Sequence, residues 1–165
     1  MPNDISASVK TADECSVVER AVFLSLVLQG GEVDKKGLPG RIQRAKALLF
    51  LVHPRCGLIG ISALKHPERS YRAKVFRASG TTSPATLFSL ELGWIYLLEE
   101  HRGDGFSSWL INPLLDIAAD RPVFATCRTN NDAMNFILPK HGFRRSGEAY
   151  PSANGQHLLS LFVRR

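Results

Sequence analysis

The sequence predicts an α/β fold with a mixed, mostly antiparallel central sheet and helices on both faces. Three features support this fold class: apolar residues at helical spacing near the N-terminus, a run of short apolar segments bounded by turn residues, and alternating strand and helix patterns in the second half. The 165 residues suit one domain, and no repeat or linker interrupts them, so we expect a single domain over residues 1–165.

The N-terminal half is expected to contribute a strand, two helices and a hairpin. An apolar stripe marks the first helix, a pair of glycines ends it, and the two apolar runs that follow are short and separated by a turn. The expected elements are the strand Ile5–Lys10, the helices Glu14–Leu28 and Gly37–Ala45, and the strands Ala47–His53 and Leu58–Leu64.

The C-terminal half alternates strand and helix patterns. Gly93 lies within the longest strand pattern and indicates a bulge or a close backbone approach, and Pro113 is expected to kink its helix or end the first part of it. The expected elements are one or two helical turns around Tyr71–Phe76, the strand Leu87–Leu98, the helix Phe106–Ala119, the strand Val123–Arg128, the helix Asp132–Leu138, and the strands Phe143–Tyr150 and His157–Val163.

Composition narrows the setting and the partner. The three cysteines form no C-x-x-C pair and the histidines have no metal-ligand spacing, so we expect neither a disulfide framework nor a bound metal. Met1–Thr11 lacks the apolar core of an export signal, and no apolar run is long enough to span a membrane, which favours a cytoplasmic protein. The net charge of +6 suits an anionic partner, either a polyphosphate cofactor or a nucleic acid, although a solvated basic surface without a partner is the alternative.

The segment His101–Ser107 joins a strand to a helix through a glycine-bearing loop. The first amides of a helix have no intrahelical partner, and the helix dipole adds positive potential, so such a junction can bind an anion. Gly103 and Gly105 allow a phosphate to approach the backbone, and Arg102 adds a positive charge. An ordinary strand-to-helix turn is the alternative interpretation, because neither a G-x-G-x-x-G spacing nor a P-loop is present.

Two motifs in order resemble those of the GNAT superfamily of N-acetyltransferases. In that family a strand leads into Arg/Gln-x-x-Gly-x-Gly/Ala, and here Arg102, Gly105 and Ser107 occupy the three positions, with Ser in place of Gly or Ala. The second motif is an Asn, a helix and then Gly-Phe, matched by Asn131 and Gly142-Phe143. The resemblance covers residues 87–147, and the preceding residues agree only in their order of elements.

The resemblance implies a binding site for acetyl-CoA as the co-substrate. The backbone of the strand would bind the pantetheine arm and the thioester, the loop amides would bind the pyrophosphate, and an Asn side chain would reach the pantetheine arm. The cofactor-binding residues implied in this way are Ile95, Tyr96, Leu97, Arg102, Gly103, Asp104, Gly105, Phe106, Ser107 and Asn131.

Glu91 is the candidate general base. It lies in an otherwise apolar strand, where simple alternation places it on the same face as Gly93, Ile95 and Leu97, and a carboxyl among apolar neighbours is expected to have a raised pKa. The structural alternative is a Glu at a strand end that faces solvent or pairs with an arginine such as Arg72 or Arg77.

The general acid is unassigned, because the Tyr that the family places on the last helix corresponds to Leu138 here. Tyr96 is the candidate acid, with Tyr150 and His141 as further substitutes, and the thiolate can also leave unprotonated. Structural roles are expected for three other residues: Cys127 and Trp94 as core residues, and Trp109 packed on the sheet.

The leading interpretation is an N-acetyltransferase that moves an acetyl group from acetyl-CoA to a primary amine by direct attack. The acceptor is a small molecule or a macromolecule, and a homodimer is common among proteins of this fold. One alternative is a regulatory module that binds acyl-CoA without efficient transfer. Another is an RNA- or tRNA-directed protein, because Lys65–Arg77 is basic and contains Tyr71 and Phe76.

Overall fold

The structure is a computed structural model that describes residues 4–31 and 33–165. Met1–Asn3, part of the predicted polar N-terminal segment, and Glu32 lie outside the described residues. Seven strands and five α-helices are described: β1 (Ser6–Lys10), α1 (Val17–Gly30), α2 (Leu38–Gln43), β2 (Ala47–His53), β3 (Gly57–Lys65), α3 (Arg69–Ser79), β4 (Leu90–Leu97), α4 (Ser107–Ala118), β5 (Val123–Arg128), α5 (Asp132–Lys140), β6 (Arg144–Pro151) and β7 (Leu158–Arg164).

The strands form a sheet in the order β1-β2-β3-β4-β5-β7-β6. The β4–β5 pair is parallel, whereas β1–β2, β2–β3, β5–β7 and β6–β7 are antiparallel. The predicted mixed, mostly antiparallel sheet is therefore confirmed. No helix in the described part of the chain is long and apolar enough to cross a membrane.

The chain forms two compact units, and β4 contributes residues to both. The first unit contains Met1–Lys65 and Leu92–Ile117, and the second contains His66–Glu91 and Ala118–Arg165. The single domain expected over residues 1–165 stays a prediction.

Helices cover both faces of the sheet in the first unit. On one face, residues of α1 and α2 form a buried cluster with sheet residues that include Phe50 and Ile61. On the other face, the fully buried Ser62 donates its hydroxyl hydrogen to the carbonyl of Leu110 in α4 at 2.6 Å. Because Ile61 and Ser62 are neighbours in β3, their side chains point to opposite faces, each towards a different helix layer.

The second unit has an aromatic core of its own. The Phe76 ring of α3 lies 5.3 Å from the Phe124 ring of β5 in an edge-to-face arrangement and 5.2 Å from the Phe88 ring. Tyr150 and Leu161 complete the cluster with Val75. Phe76 was predicted as part of a basic aromatic edge, but with 4% exposure it is a core residue.

Several predicted elements differ in length from those observed. The one or two turns expected around Tyr71–Phe76 are the 11-residue helix α3, which Gly80 ends in a left-handed conformation. The predicted strand Leu87–Leu98 begins only at Leu90, because Ala85–Leu87 is a 3-10 turn. Pro113 does not end its helix, since buried residues before and after it, Ile111 and Leu114 among them, keep α4 continuous.

Gly147 brings β6 against the end of α3. Its φ is +73°, and a Cβ at this position would lie 2.9 Å from the carbonyl carbon of Ser79 and 3.0 Å from the amide nitrogen of Thr81. The register of β6 and β7 shifts between Ser146 and Tyr150, which is where the strand bends around this contact. Only glycine suits both the conformation and the close approach.

We predict that Gly147→Ala destabilises the protein by about 3 kcal/mol, because a left-handed alanine and a backbone clash add together. The matched control is Gly80→Ala, where φ is +67° and no atom lies within 4 Å of an added Cβ, so only the conformational cost of about 1–2 kcal/mol applies. Urea denaturation of both variants measures the difference, and equal losses would contradict the close approach at Gly147.

Candidate active site

The loop between β4 and α4 contains two glycines in the left-handed region. A 3-10 turn, Glu99–His101, follows β4, and Gly103 and Gly105 then have φ values of +85° and +82°. A Cβ at either glycine would meet no atom within 4 Å, so the backbone conformation is what requires glycine, and that face of the loop is open to an approaching group. α4 begins directly after the loop, at Ser107.

Arg102 is fixed at the start of this loop. Its Nε donates a hydrogen bond to the carbonyl of Leu97 at 2.9 Å, and its guanidinium carbon lies 5.4 Å from the centre of the Tyr96 ring. The residue is nevertheless exposed, and the terminal nitrogens of a guanidinium carry further donors. The end of β4 thus holds a positive charge beside the two glycines of the loop.

Aromatic side chains line the same loop. The rings of His53 and His101 lie 5.9 Å apart, and the His101 and Phe106 rings lie 6.3 Å apart. Trp109, one turn into α4, was predicted to pack on the sheet, but it is 45% exposed. The sheet-facing positions of α4 are taken by buried aliphatic residues such as Leu110 and Leu114.

The left-handed residue of β4 is Trp94, which directly follows Gly93, the position of the predicted bulge or close approach. Trp94 has a φ of +49°, which is rare for a bulky residue, whereas Gly93 does not have a positive φ. The side chain of Lys65 covers Gly93, with Cε 2.9 Å from where a Cβ would lie, and its ammonium lies 4.8 Å from the centre of the Trp94 ring. The other contact of Trp94 is edge-to-face with Phe23, at 6.1 Å, so its predicted packing on the core is confirmed.

The residues that follow Trp94 are half-buried, whereas Leu90–Leu92 are buried. Simple alternation along β4 cannot extend through a left-handed residue, and the predicted shared face of Glu91, Ile95 and Leu97 rested on it. Leu97 approaches β3 and α4, since a Cβ at Gly60 would lie 3.1 Å from Leu97 Cδ1 and 3.4 Å from a methyl of Leu110.

Tyr96, the candidate acid, packs against the α1 side of the first unit. Its ring lies 3.6 Å from the position of a Cβ at Gly30, and its hydroxyl donates to Gln29 Oε1 at 3.2 Å. Of the predicted cofactor-binding residues, Ile95–Leu97 and Arg102–Ser107 thus lie in one continuous segment of the first unit.

Glu91, the candidate base, lies in the second unit and is 3% exposed. The hydroxyl of Tyr71, from α3, donates to Glu91 Oε1 at 3.0 Å. Burial, followed by the negative charge of Glu91, raises the pKa of Tyr71 well above its usual value, so the phenol stays protonated and is the donor in this bond. Glu91 thus contacts Tyr71. Arg72, one of the arginines named as an alternative partner, donates through Nη1 to the carbonyl of Phe88 at 3.1 Å.

Tyr71 is the residue of this site that sequence reasoning missed. It was noted only as an aromatic residue within a basic segment, and no motif joins it to Glu91. A prediction of α3 at its full length could have identified Tyr71. Such a helix places Tyr71 and the buried Val75 and Phe76 on successive turns that face the same core.

Asn131 is the N-cap residue of α5. Its side-chain oxygen accepts a hydrogen bond from the amide of Met134 at 3.1 Å, which leaves the side-chain NH₂ as its donor group. Asn135 fixes the turn before the helix, because its NH₂ donates to the carbonyls of Arg128 and Asn131 at 3.1 and 2.8 Å. The reach of Asn131 to a pantetheine arm stays a prediction.

The remaining candidates for proton transfer are buried or half-buried. Leu138, at the position where the family has Tyr, is fully buried, and Tyr150 is 5% exposed. Burial, together with the charges of Arg164 and Lys140, lowers the pKa of His141, so this imidazole is mostly neutral at pH 7. Burial raises the pKa of Cys127 to about 11, which agrees with its predicted core role because little thiolate forms near neutral pH.

Within the described residues, no group of three or more His, Cys, Asp or Glu side chains could hold a metal ion. Neither a protein-family model nor a curated protein matches the chain. The comparison with known proteins therefore rests on solved structures.

Several solved structures share this fold over nearly their whole length. An acyl-CoA N-acyltransferase from Pseudomonas aeruginosa superposes with a TM-score of 0.69 at 16% identity, covering 98% of this chain and 99% of that one. Escherichia coli ElaA has a TM-score of 0.70 at 14% identity, with 98% and 99% covered. Salmonella typhimurium yncA, solved with its cofactor acetyl-CoA, has a TM-score of 0.63 at 13% identity, with 97% and 94% covered.

Identities this low establish the fold and leave the chemistry to the site itself. The predicted resemblance to the GNAT superfamily is confirmed at that level: the chain has the fold of the acyl-CoA N-acyltransferases.

Proposed function

We propose that the protein is an N-acetyltransferase that transfers an acetyl group from acetyl-CoA to a primary amine. The observation that carries this proposal is the segment from β4 to α4, in which the fixed Arg102 and the left-handed Gly103 and Gly105 precede a helix start, in an acyltransferase fold. An ordinary strand-to-helix turn would need neither the second open glycine nor an arginine held at its entrance.

The residues present suit acetyl-CoA as a substrate. The amides of Gly103–Ser107 would bind the pyrophosphate, because no side chain or neighbouring atom covers the two glycines. Arg102 would add a charge-assisted contact to a phosphate. The backbone of Ile95–Leu97 and the NH₂ of Asn131 would bind the pantetheine arm, and an amide of Ile95–Leu97 would stabilise the oxyanion that forms from the thioester carbonyl.

Glu91 would serve as the general base. The amine must lose a proton to attack, and a carboxylate held in one position by Tyr71 can accept that proton directly or through a water molecule. A bond then forms between the amine nitrogen and the acetyl carbon, the carbon–sulfur bond breaks, and CoA leaves as a thiolate that takes up a proton.

The source of that last proton is open to two routes. Tyr96 is the candidate acid, but its hydroxyl donates to Gln29, and this bond would have to break before Tyr96 could protonate sulfur. The alternative route uses solvent, because a thiol with a pKa of about 8.5 is a good enough leaving group without a protein acid.

The second candidate function is a module that binds acyl-CoA without efficient transfer. The observation that favours it is Leu138, a fully buried residue with no proton to give, at the place of the family Tyr. Binding of acetyl-CoA without turnover on any primary amine would distinguish this module from the transferase.

We predict that acetyl-CoA binds saturably and that the double variant Arg102→Ala, Gly105→Val weakens binding at least tenfold, because an arginine–phosphate contact is worth about 1.5–3 kcal/mol. Calorimetric titration measures it. The matched control is Arg121→Ala, Gly80→Val, which removes an exposed arginine and strains a left-handed glycine outside the loop. Equal weakening in both variants, or no binding to the parent chain, would contradict the proposed site.

We predict that Glu91→Gln lowers turnover about 10²–10³-fold and leaves the affinity for acetyl-CoA unchanged, since the amide cannot take the proton from the amine. The amide oxygen can still accept from Tyr71, so the fold is retained. Thiol release with a panel of primary amines gives the rate, and titration gives the affinity. Turnover equal to that of the parent chain at every pH would rule out this role for Glu91.

We predict that Tyr71→Phe lowers turnover and leaves the affinity for acetyl-CoA unchanged, because Glu91 loses the hydrogen bond that holds its carboxyl group in position. In the Glu91→Gln background the same substitution should cost no further turnover, since the base is already absent. A double-mutant cycle of thiol-release rates measures this coupling, and additive losses would mean that Tyr71 has only a packing role.

A further inference from the structure

The net positive charge of the protein comes from the second unit. This unit has eleven Lys and Arg residues and five Asp and Glu residues, a balance of +6, which equals the net charge of the whole chain. The first unit has ten of each and is neutral. The basic character is therefore a property of the second unit and is not spread evenly over the protein.

Exposed residues on three elements of this unit carry much of that charge. α3 exposes Arg69, Lys74 and Arg77, β6 exposes Arg144, which alternation places on the same face as Ser146, and the C-terminus exposes Arg165. None of these five side chains forms a salt bridge with another described residue. Their charges are thus not neutralised within the described part of the protein.

The elements that carry these residues contact one another. The end of α3 packs against Gly147 of β6, and the Thr81 and Ser146 hydroxyls are hydrogen-bonded. The guanidinium of Arg165 donates to Ser83 Oγ at 3.2 Å, which ties the last residue of the chain to the segment after α3. We call the five basic residues Arg69, Lys74, Arg77, Arg144 and Arg165 the α3–β6 basic surface.

We infer that the α3–β6 basic surface binds RNA. Nine of the eleven basic residues of the unit are arginines, whose planar guanidinium groups can make paired hydrogen bonds to a phosphate. Arg69 and Arg77 are eight residues apart on α3, so their α-carbons are separated by about 12 Å at the rise of an α-helix. That distance exceeds one pyrophosphate group and suits two phosphates of a polynucleotide that are not adjacent.

The surface differs from the basic segment that the sequence indicated. Lys65 belongs to the first unit, where its ammonium lies over the Trp94 ring, and Phe76 is buried in the core. Arg144 and Arg165, which belong to the surface, come from the other end of the chain. This inference concerns binding alone and does not depend on the proposed acetyl transfer.

The test is fluorescence polarisation of the full chain with a labelled single-stranded RNA of mixed sequence. We expect saturable binding at about 50 mM salt that weakens about 50-fold at about 200 mM, as the release of counterions from about four phosphates requires. Arg69→Glu with Arg77→Glu, and separately Arg144→Glu with Arg165→Glu, should each weaken binding at least tenfold.

The matched control is Lys35→Glu with Lys36→Glu, two exposed residues of the neutral unit. Each double variant replaces two positive charges with two negative ones and lowers the net charge from +6 to +2. A loss in the control as large as in the surface variants, or no RNA binding at about 50 mM salt, would overturn the inference. So would displacement of the RNA by polyglutamate at equal charge concentration, which would indicate an acidic polypeptide as the partner.

Titration of the same variants with acetyl-CoA keeps this inference separate from the proposed function. Loss of RNA binding with unchanged acetyl-CoA binding supports a distinct surface on a folded protein. Displacement of RNA by acetyl-CoA would overturn it, because the arginines would then belong to the co-substrate site.

Discussion

The backbone of Trp94 is the constraint on which the candidate site depends. A tryptophan with a φ of +49° costs free energy, and it persists because Phe23 packs edge-to-face against its ring and the Lys65 ammonium lies over it. In β4, Leu90–Leu92 are buried and Gly93–Leu97 are half-buried, and the strand leads to the loop with Arg102. The change in burial thus occurs next to Trp94, and the proposed function places the ligand on the backbone that follows it.

The sequence predicted the elements whose signals are local. The bounds of β2 and β5 agree with prediction because each is a short apolar run between strong turn residues. The loop glycines were identified because a positive φ selects glycine. The same logic pointed to Gly93 and could not find the neighbouring Trp94, because its left-handed conformation depends on tertiary contacts and not on the residue's own preference.

The contacts that matter most for chemistry were not predictable from spacing. Tyr71 and Glu91 are joined by a hydrogen bond between a helix and a strand, and the helix was expected to be only one or two turns long. The difference in net charge between the two units could not be predicted either. The basic residues of α3 and β6 are far apart in the sequence, and the chain passes from one unit to the other several times. Both features depend on which segments pack together.

Leu138 bears on how the reaction could end. Its side chain has no exposed surface, so a tyrosine there would place a hydroxyl among apolar groups and would need room that a packed core does not have. The position is therefore used for packing, and any acetyl transfer must release its thiolate by other means. A thiolate can leave without a proton from a protein acid. The attacking amine, in contrast, cannot react until it has lost a proton, because it is protonated at neutral pH. The chemistry of the proposed reaction then depends mainly on the removal of a proton from the amine, which is the step assigned to Glu91.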